Sequence, residues 1–408
     1  MILEYHNCVL DNGLRIIQES SPTDIVYCGL FVDAGTRDED GKDSGLAHFC
    51  EHTSFKGTTT RKSWQIRNCL ESVGGDLNAY TNKEETVYYA TVRKDDFDRA
   101  AQLLFDIVFH SIYPSKELEK ETEVIIDEID SYNDSPAELI YDEFEEMLFK
   151  GHGLGRNILG NAARLRSYST SDALRFTQKY YVPSNVTFFI YGNVKFDHIC
   201  KLADKSTRDL SMKKVDKTVQ QLPTYIPEKR ICEHHTHQAH VLIGNRVYSN
   251  HDPRHIALSL LSNLLGGPGM NSLLNVALRE NHGLVYTAES TVFYYTDAGV
   301  WSIYFGCDEE NVPLCTRLIM HILKRLTDKP LSERQLLKAK KQFIGQLQIA
   351  NDNFENYALA LGKTYARTGK HRNIDDLCLK IQSLTPQTIY DVTCDIFQDD
   401  KLTTLQYK

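Results

Sequence analysis

Residues 45–58 read GLAHFCEHTSFKGT, and within them His48, Glu51 and His52 stand in the order His-x-x-Glu-His. On a helix, residues four apart lie one turn apart on one face, so both imidazoles reach a single ion. Glu51 follows His48 by three and shares nearly the same face. It can therefore bind a water on a metal without being a ligand itself. The order is that of the zinc-binding HExxH helix run in reverse. Asp43 and Ser44, just before the stretch, read as the helix N-cap.

Two histidines leave a catalytic zinc short of its usual third protein ligand. The candidate lies in KETEVIIDEIDSYND, residues 120–134, where Glu128 sits on an amphipathic helix with Val124, Ile125 and Ile129 toward the core. Glu121 is two turns earlier on the same stripe. Two carboxylates on one buried face are costly unless something positive meets them, and zinc supplies that charge. The same pair also suits a solvated helix face.

Outward from these stretches the chain alternates strand and helix patterns without strict βαβ repetition. Residues 24–34 and 85–93 are β-branched and aromatic and read as strands; 96–110 and 118–131 carry helical periodicity. Residues 206–227, rich in Lys, Asp, Thr, Gln and Pro, read as a linker. On either side the sequence repeats weakly. The 23 residues from Ser169 align without a gap on those from Thr385, and CLESVGGDLNAYT from Cys69 aligns on ALRENHGLVYTAE from Ala277, pairing Gly75 with Gly283. In that register Ile256, Ser259 and Leu260 replace His48, Glu51 and His52. The expectation is an α+β chain of two similar domains of mixed or antiparallel sheet with helices, related by internal duplication. Its parts are a zinc-binding catalytic domain over 1–205, the linker 206–227, and a domain without metal over 228–408.

A net charge of −9 over 408 residues argues against nucleic acid and anionic membrane surfaces as partners. No basic leader and no bilayer-length apolar run is seen, and the ten cysteines form no CxxC pair, so a reducing, cytoplasmic setting is expected. His234, His235, His237 and His240 alternate as on a half-exposed strand, the simpler reading than a second metal site. The loop 264–272 lacks the GK[ST] of a phosphate cradle.

Taken together, these residues resemble the pitrilysin-type inverzincin metallopeptidases, most of all the subfamily of mitochondrial processing peptidase subunits and their bacterial relatives. LDNGLRII, AGTRDE, the stretch 45–58, GGDLNAYTNKEETVYY, VIIDEI, GHGLGRNILG, YYVPSNVTFFIYGNV and LRENHGLVYTAES carry the resemblance in order along almost the whole chain. It implies a zinc endopeptidase, one Zn2+ per chain, with His48, His52 and Glu128 as ligands, Glu51 as base and Glu121 as supporting carboxylate. It further implies that Asn78 and Ala79 lie on an edge strand that holds an extended peptide substrate, and that Arg279 and Tyr286 address the substrate carbonyl. The assembly it implies is a homodimer or a heterodimer with a related subunit. Thr122, Gly153 and Leu273 depart from the residues common in relatives, outside the zinc set. The family also contains inactive interaction and core subunits that have lost the ligands; the complete set here argues for peptide-bond hydrolysis.

Overall fold

The computed structural model describes residues 5–217, 220–234 and 236–408. They form two compact units, and each contains one sheet.

The first unit comprises the residues up to Asp130, Arg156–Gln221 and Asn351–Arg372. Its strands are β1 (Tyr5–Val9), β2 (Arg15–Glu19), β3 (Ile25–Val32), β4 (Asp76–Thr81), β5 (Thr86–Arg93) and β6 (Val186–Tyr191), in the spatial order β1-β2-β6-β3-β5-β4. All pairings are antiparallel except β2 with β6. Successive side chains of a strand face opposite sides, and here both sides are covered. Leu30, Phe188 and Ile190 point into a core shared with the helices Leu46–Ser54 and Phe97–Phe109. Phe31, Phe189 and Tyr191 point the other way, against Tyr357, Leu361 and Tyr365 of the helix Phe354–Thr368. That is why VTFFIY of β6 is buried at every position.

The second unit comprises Ser131–Gly155, Leu222–Ala350 and Asn373–Lys408. Its strands β7 (Lys229–Cys232), β8 (Ala239–Val247), β9 (Val285–Tyr294), β10 (Gly299–Cys307) and β11 (Thr403–Tyr407) lie in the order β7-β11-β8-β10-β9. This repeats β2-β6-β3-β5-β4, including the parallel pairing of β7 with β11. The aligned stretches coincide in structure: helices Thr170–Tyr180 and Pro386–Ile396 lead into β6 and β11. The duplication is real.

Each sheet has an outer face that must be covered, and in the second unit the cover is the helix Pro136–Leu148, whose Ile140 and Phe144 meet Leu242 and Leu405. The division at 1–205, 206–227 and 228–408 assigns this helix, and its counterpart Phe354–Thr368, to the other unit. Sequence neighbours alone do not show which sheet a helix covers. Residues 210–217 and 220–228 have no helix or strand, whereas residues 206 and 207 of the expected linker end the helix Phe196–Thr207. The histidines 234–240 do not share one strand, because β7 ends at Cys232 and β8 begins at Ala239; His235 lies outside the described residues.

The covering helix of the first unit is also anchored by charge. Arg367 pairs with Asp33 and donates to Glu85 at 3.0 Å and to the Glu84 carbonyl at 2.9 Å, while Lys363 meets Glu85 at 2.5 Å. Burial opposes ionisation of Glu85, yet Lys363 and Arg367 outweigh it and hold its carboxyl below the usual range. A depressed carboxyl contributes stability above its unfolded pKa and loses it as pH falls through the folded one. Arg367→Ala leaves Asp33 to Lys217 and Glu85 to Lys363 alone, so it should cost about 2 kcal/mol in denaturant unfolding at neutral pH, with the deficit shrinking in acid. A cost below about 1 kcal/mol would show that the network does not anchor the helix.

Candidate metal centre

The His-x-x-Glu-His residues lie on the helix Leu46–Ser54 as their spacing requires. Leu46, Phe49 and Cys50 turn into the core and leave His48, Glu51 and His52 on another face. The helix begins at Gly45, φ +75°, where a Cβ would lie 2.5 Å from the Leu159 carbonyl oxygen. Only glycine fits that crossing. The orphan N–H groups of the first turn are not capped by Asp43 or Ser44. Glu39 accepts them from outside the helix, from Ala47 at 2.9 Å and Gly45 at 3.2 Å. Asp43 instead receives Arg164 at 3.1 Å and Arg175 at 3.0 Å. Burial pushes the Glu39 carboxyl up to about 7 against the pull of those N–H groups and Arg156.

Glu121 and Glu128 come from the helix Ser115–Asn133. Its buried stripe is Leu118, Thr122, Ile125 and Ile126, with Ile129 half-buried. Val124 is exposed, so the helix is rotated from the expected setting and Ile126 takes the core position. That rotation aims Glu128 at both imidazoles. Its Oε2 is 3.4 Å from His52 Nε2 and 3.9 Å from His48 Nε2. Ligands 2.0–2.1 Å from a tetrahedral zinc stand roughly 3.3 Å from one another, so these three atoms need only small adjustments to hold it. They are also the first-unit residues among those described whose ligand atoms gather closely enough for a metal.

Glu121 lies behind His52 rather than at the ligand atoms. Its Oε1 is 3.1 Å from His52 Nδ1 and its Oε2 is 2.5 Å from Lys56 Nζ. A carboxylate there fixes the ring and leaves Nε2 free for the metal. His48 Nδ1 is buried with no hydrogen-bond partner among the described residues, so packing alone orients that ring. Glu51 is buried, 4.0 Å from His48 Nε2, and accepts a 3.2 Å hydrogen bond from Thr81 at the end of β4. Burial pushes the Glu51 carboxyl up to about 7. The two imidazoles diverge: burial and then the charge of His52 lower His48 to about 4. For His52, burial is outweighed by hydrogen bonds to Glu121 and Glu128, which raise it to about 9. Three carboxylates gathered around the two imidazoles make a setting in which a divalent cation would be well matched.

Asn78 and Ala79 lie on β4, paired with Tyr89 and Tyr88 of β5 on one side only. Among the described residues the other edge of β4 has no strand partner. Arg279 and Tyr286 belong to the second unit, Arg279 on a π-helical turn and Tyr286 on β9. The guanidinium lies 5.7 Å from the exposed Tyr286 ring. Sequence reasoning missed Glu39, Lys56 and Thr81. Lys56 was within reach, four residues after His52, whereas Glu39 and Thr81 act across loops with no fixed spacing.

Residues 15–162 match the profile of insulinase (peptidase family M16), and residues 167–343 that of the peptidase M16 inactive domain. An uncharacterized zinc protease of Bacillus subtilis is 30% identical over 95% of either chain, and one of Rickettsia felis 32% identical over 97% of this chain and 92% of its own. A protease from Helicobacter pylori of known structure superposes with a TM-score of 0.92 over the full length of both chains at 21% identity. A peptidase M16 inactive domain from Pseudomonas fluorescens does so with 0.92 over 99% and 98% at 18%. No helix among the described residues is long and apolar enough to cross a membrane.

Glu121→Gln keeps the shape of the side chain behind His52 and removes its charge. Zinc affinity, measured by competition with a chelator, should fall about 10–100-fold with the fold intact. Unchanged affinity would remove Glu121 from any part in the centre. The chain belongs to the insulinase family, peptidase family M16.

Proposed function

We propose that the chain is a zinc-dependent endopeptidase acting on peptides or unfolded segments held in extended form. The observation that carries this reading is the setting of Glu51. It is buried beside the two imidazoles, tied through Thr81 to the end of an edge strand, and not needed as a ligand. A metal held only for structure has no use for such a group. Zinc, when bound by His48, His52 and Glu128, supplies Lewis acidity toward a carbonyl and lowers the pKa of a water to about 7.

The remaining steps belong to this chain's residues. The free edge of β4 pairs with an extended peptide backbone along Asn78 and Ala79, which favours unfolded substrates. Glu51 takes a proton from the attacking water as its oxygen bonds to the carbonyl carbon. It returns that proton to the amine as the C–N bond breaks. Glu121 and Lys56 hold His52 in place throughout. Arg279 and Tyr286, cationic and phenolic and both exposed, suit the developing oxyanion.

Within the family we place the chain in the processing-peptidase-like branch, working as a dimer in which zinc comes from one copy and Arg279 and Tyr286 from the other. The second unit's own motif position supports a division of labour. Ile256, Ser259 and Leu260 leave it nothing to bind a metal, in keeping with the inactive-domain profile it matches.

One experiment tests both steps. Glu51→Gln should retain its zinc and lose at least about a hundredfold in activity toward a peptide library. Mixed with Arg279→Ala protein under verified subunit exchange, it should recover roughly a quarter of wild-type activity, because half the dimers then carry one intact site. Activity surviving in Glu51→Gln alone would overturn the role of the base. No recovery on mixing would overturn the shared site and leave the base untouched.

A further inference from the structure

β7 ends with Cys232, and His234 follows by two, so in an extended backbone both side chains leave on the same side. This end of the strand is pinned. The Cys232 carbonyl accepts from the Lys408 N–H at 3.0 Å, and the His234 N–H donates to the Lys408 carbonyl at 2.9 Å. Tyr407 stands opposite Cys232 in the β7–β11 register, and its ring lies 4.0 Å from that of His234. From the helix Pro136–Leu148, which Ile140 and Phe144 fix against the sheet, Glu143 reaches the same spot. One ligand atom each of Glu143, Cys232 and His234 lies within 4.8 Å of the others. We propose that these three residues form a second zinc site, built wholly from the second unit.

The surroundings lack what such a group of residues needs without a metal. Among the described residues Glu143 has no ion-pair partner, although it sits beside a thiol. Burial first, and then the Glu143 charge, push Cys232 away from its thiolate. The Tyr407 hydroxyl is fully buried against the Glu143 carboxylate, which therefore has a hydrogen-bond donor but no cation. A zinc ion supplies the missing cation. It takes the thiolate, imidazole and carboxylate as ligands, and the Tyr407 hydroxyl serves as a donor to the bound carboxylate. Ligands at 2.0–2.3 Å imply separations of about 3.3–3.8 Å, which side-chain rotation reaches from the present positions. A sulfur, nitrogen and oxygen donor set suits zinc and disfavours calcium or magnesium. Binding releases the Cys232 proton and clamps the short edge strand β7 to its covering helix.

The test uses cobalt(II) in place of zinc. The centre at His48, His52 and Glu128 contains no sulfur, so a sulfur-to-cobalt charge-transfer band reports the second site alone. Full-length protein should show this band and bind one more equivalent of cobalt than Cys232→Ser, which should lose the band. His234→Ala, a milder change near the surface, should weaken cobalt binding at least about tenfold, and Cys8→Ser should leave the band unchanged. Absence of the band in folded wild-type protein would overturn the proposal. So would a band that survives both Cys232→Ser and His234→Ala.

Discussion

Two imidazoles one helical turn apart meet three carboxylates and a single ammonium, with His48, Glu51 and Glu121 buried and Glu128 open to solvent. Much of the first unit follows from accommodating that group. Like charges this close cannot all be ionised in a low-dielectric setting without a counter-charge. Against burial, hydrogen bonds to Glu121 and Glu128 hold His52 above the usual imidazole range, while burial and then the His52 charge hold His48 below it. A divalent cation satisfies the same set better, because it draws on both Nε2 atoms and the Glu128 carboxylate at once. With zinc bound, the remaining groups would have defined tasks under the proposed function: Glu121 would orient His52, Lys56 would balance Glu121, and Glu51 would stand beside the cation as the base.

Holding that arrangement requires rigid supports, and the sheet supplies them. Because both faces of the first sheet are covered, β3 and β6 are apolar at nearly every position, and the helix Leu46–Ser54 that bears both histidines rests on a layer that cannot shift freely. Edge strand β4 ends at the Thr81 contact to Glu51, so the open edge of the sheet is tied by one hydrogen bond to the helix that bears the His-x-x-Glu-His residues. The second unit repeats the sheet order with Ile256 and Leu260 buried in place of the histidines. There the same architecture is stabilised by apolar packing and needs no cation at that position.

Some of this was legible in the sequence and some was not, for physical reasons. His48, Glu51 and His52 were readable because helical spacing is local and fixes which side chains share a face. Glu128 and Glu121 were readable as a stripe, but the run Val124-Ile125-Ile126 suits more than one helix rotation, and only packing decides that Ile126 goes inside and Val124 outside. The duplication was visible because aligned helix-strand pairs keep their length. The exchange of covering helices was not, since Phe354–Thr368 meets Phe189 from far along the chain and nothing local encodes the destination. The cap by Glu39 was hidden for the same reason: a carboxylate reaching in from a preceding loop has no characteristic spacing. Asp43 looked like the better cap and is used instead to hold two arginines.

The central claim is that His48 Nε2, His52 Nε2 and Glu128 converge on one zinc ion while Glu51 stands beside it unbound. Anomalous diffraction at the zinc edge, on crystals of the zinc-loaded protein, tests it most directly. The account predicts a peak about 2.0–2.1 Å from those three atoms, with the Glu51 carboxylate outside bonding distance. A loaded crystal with no peak there, or with Glu51 in place of Glu128 as the ligand, would contradict it.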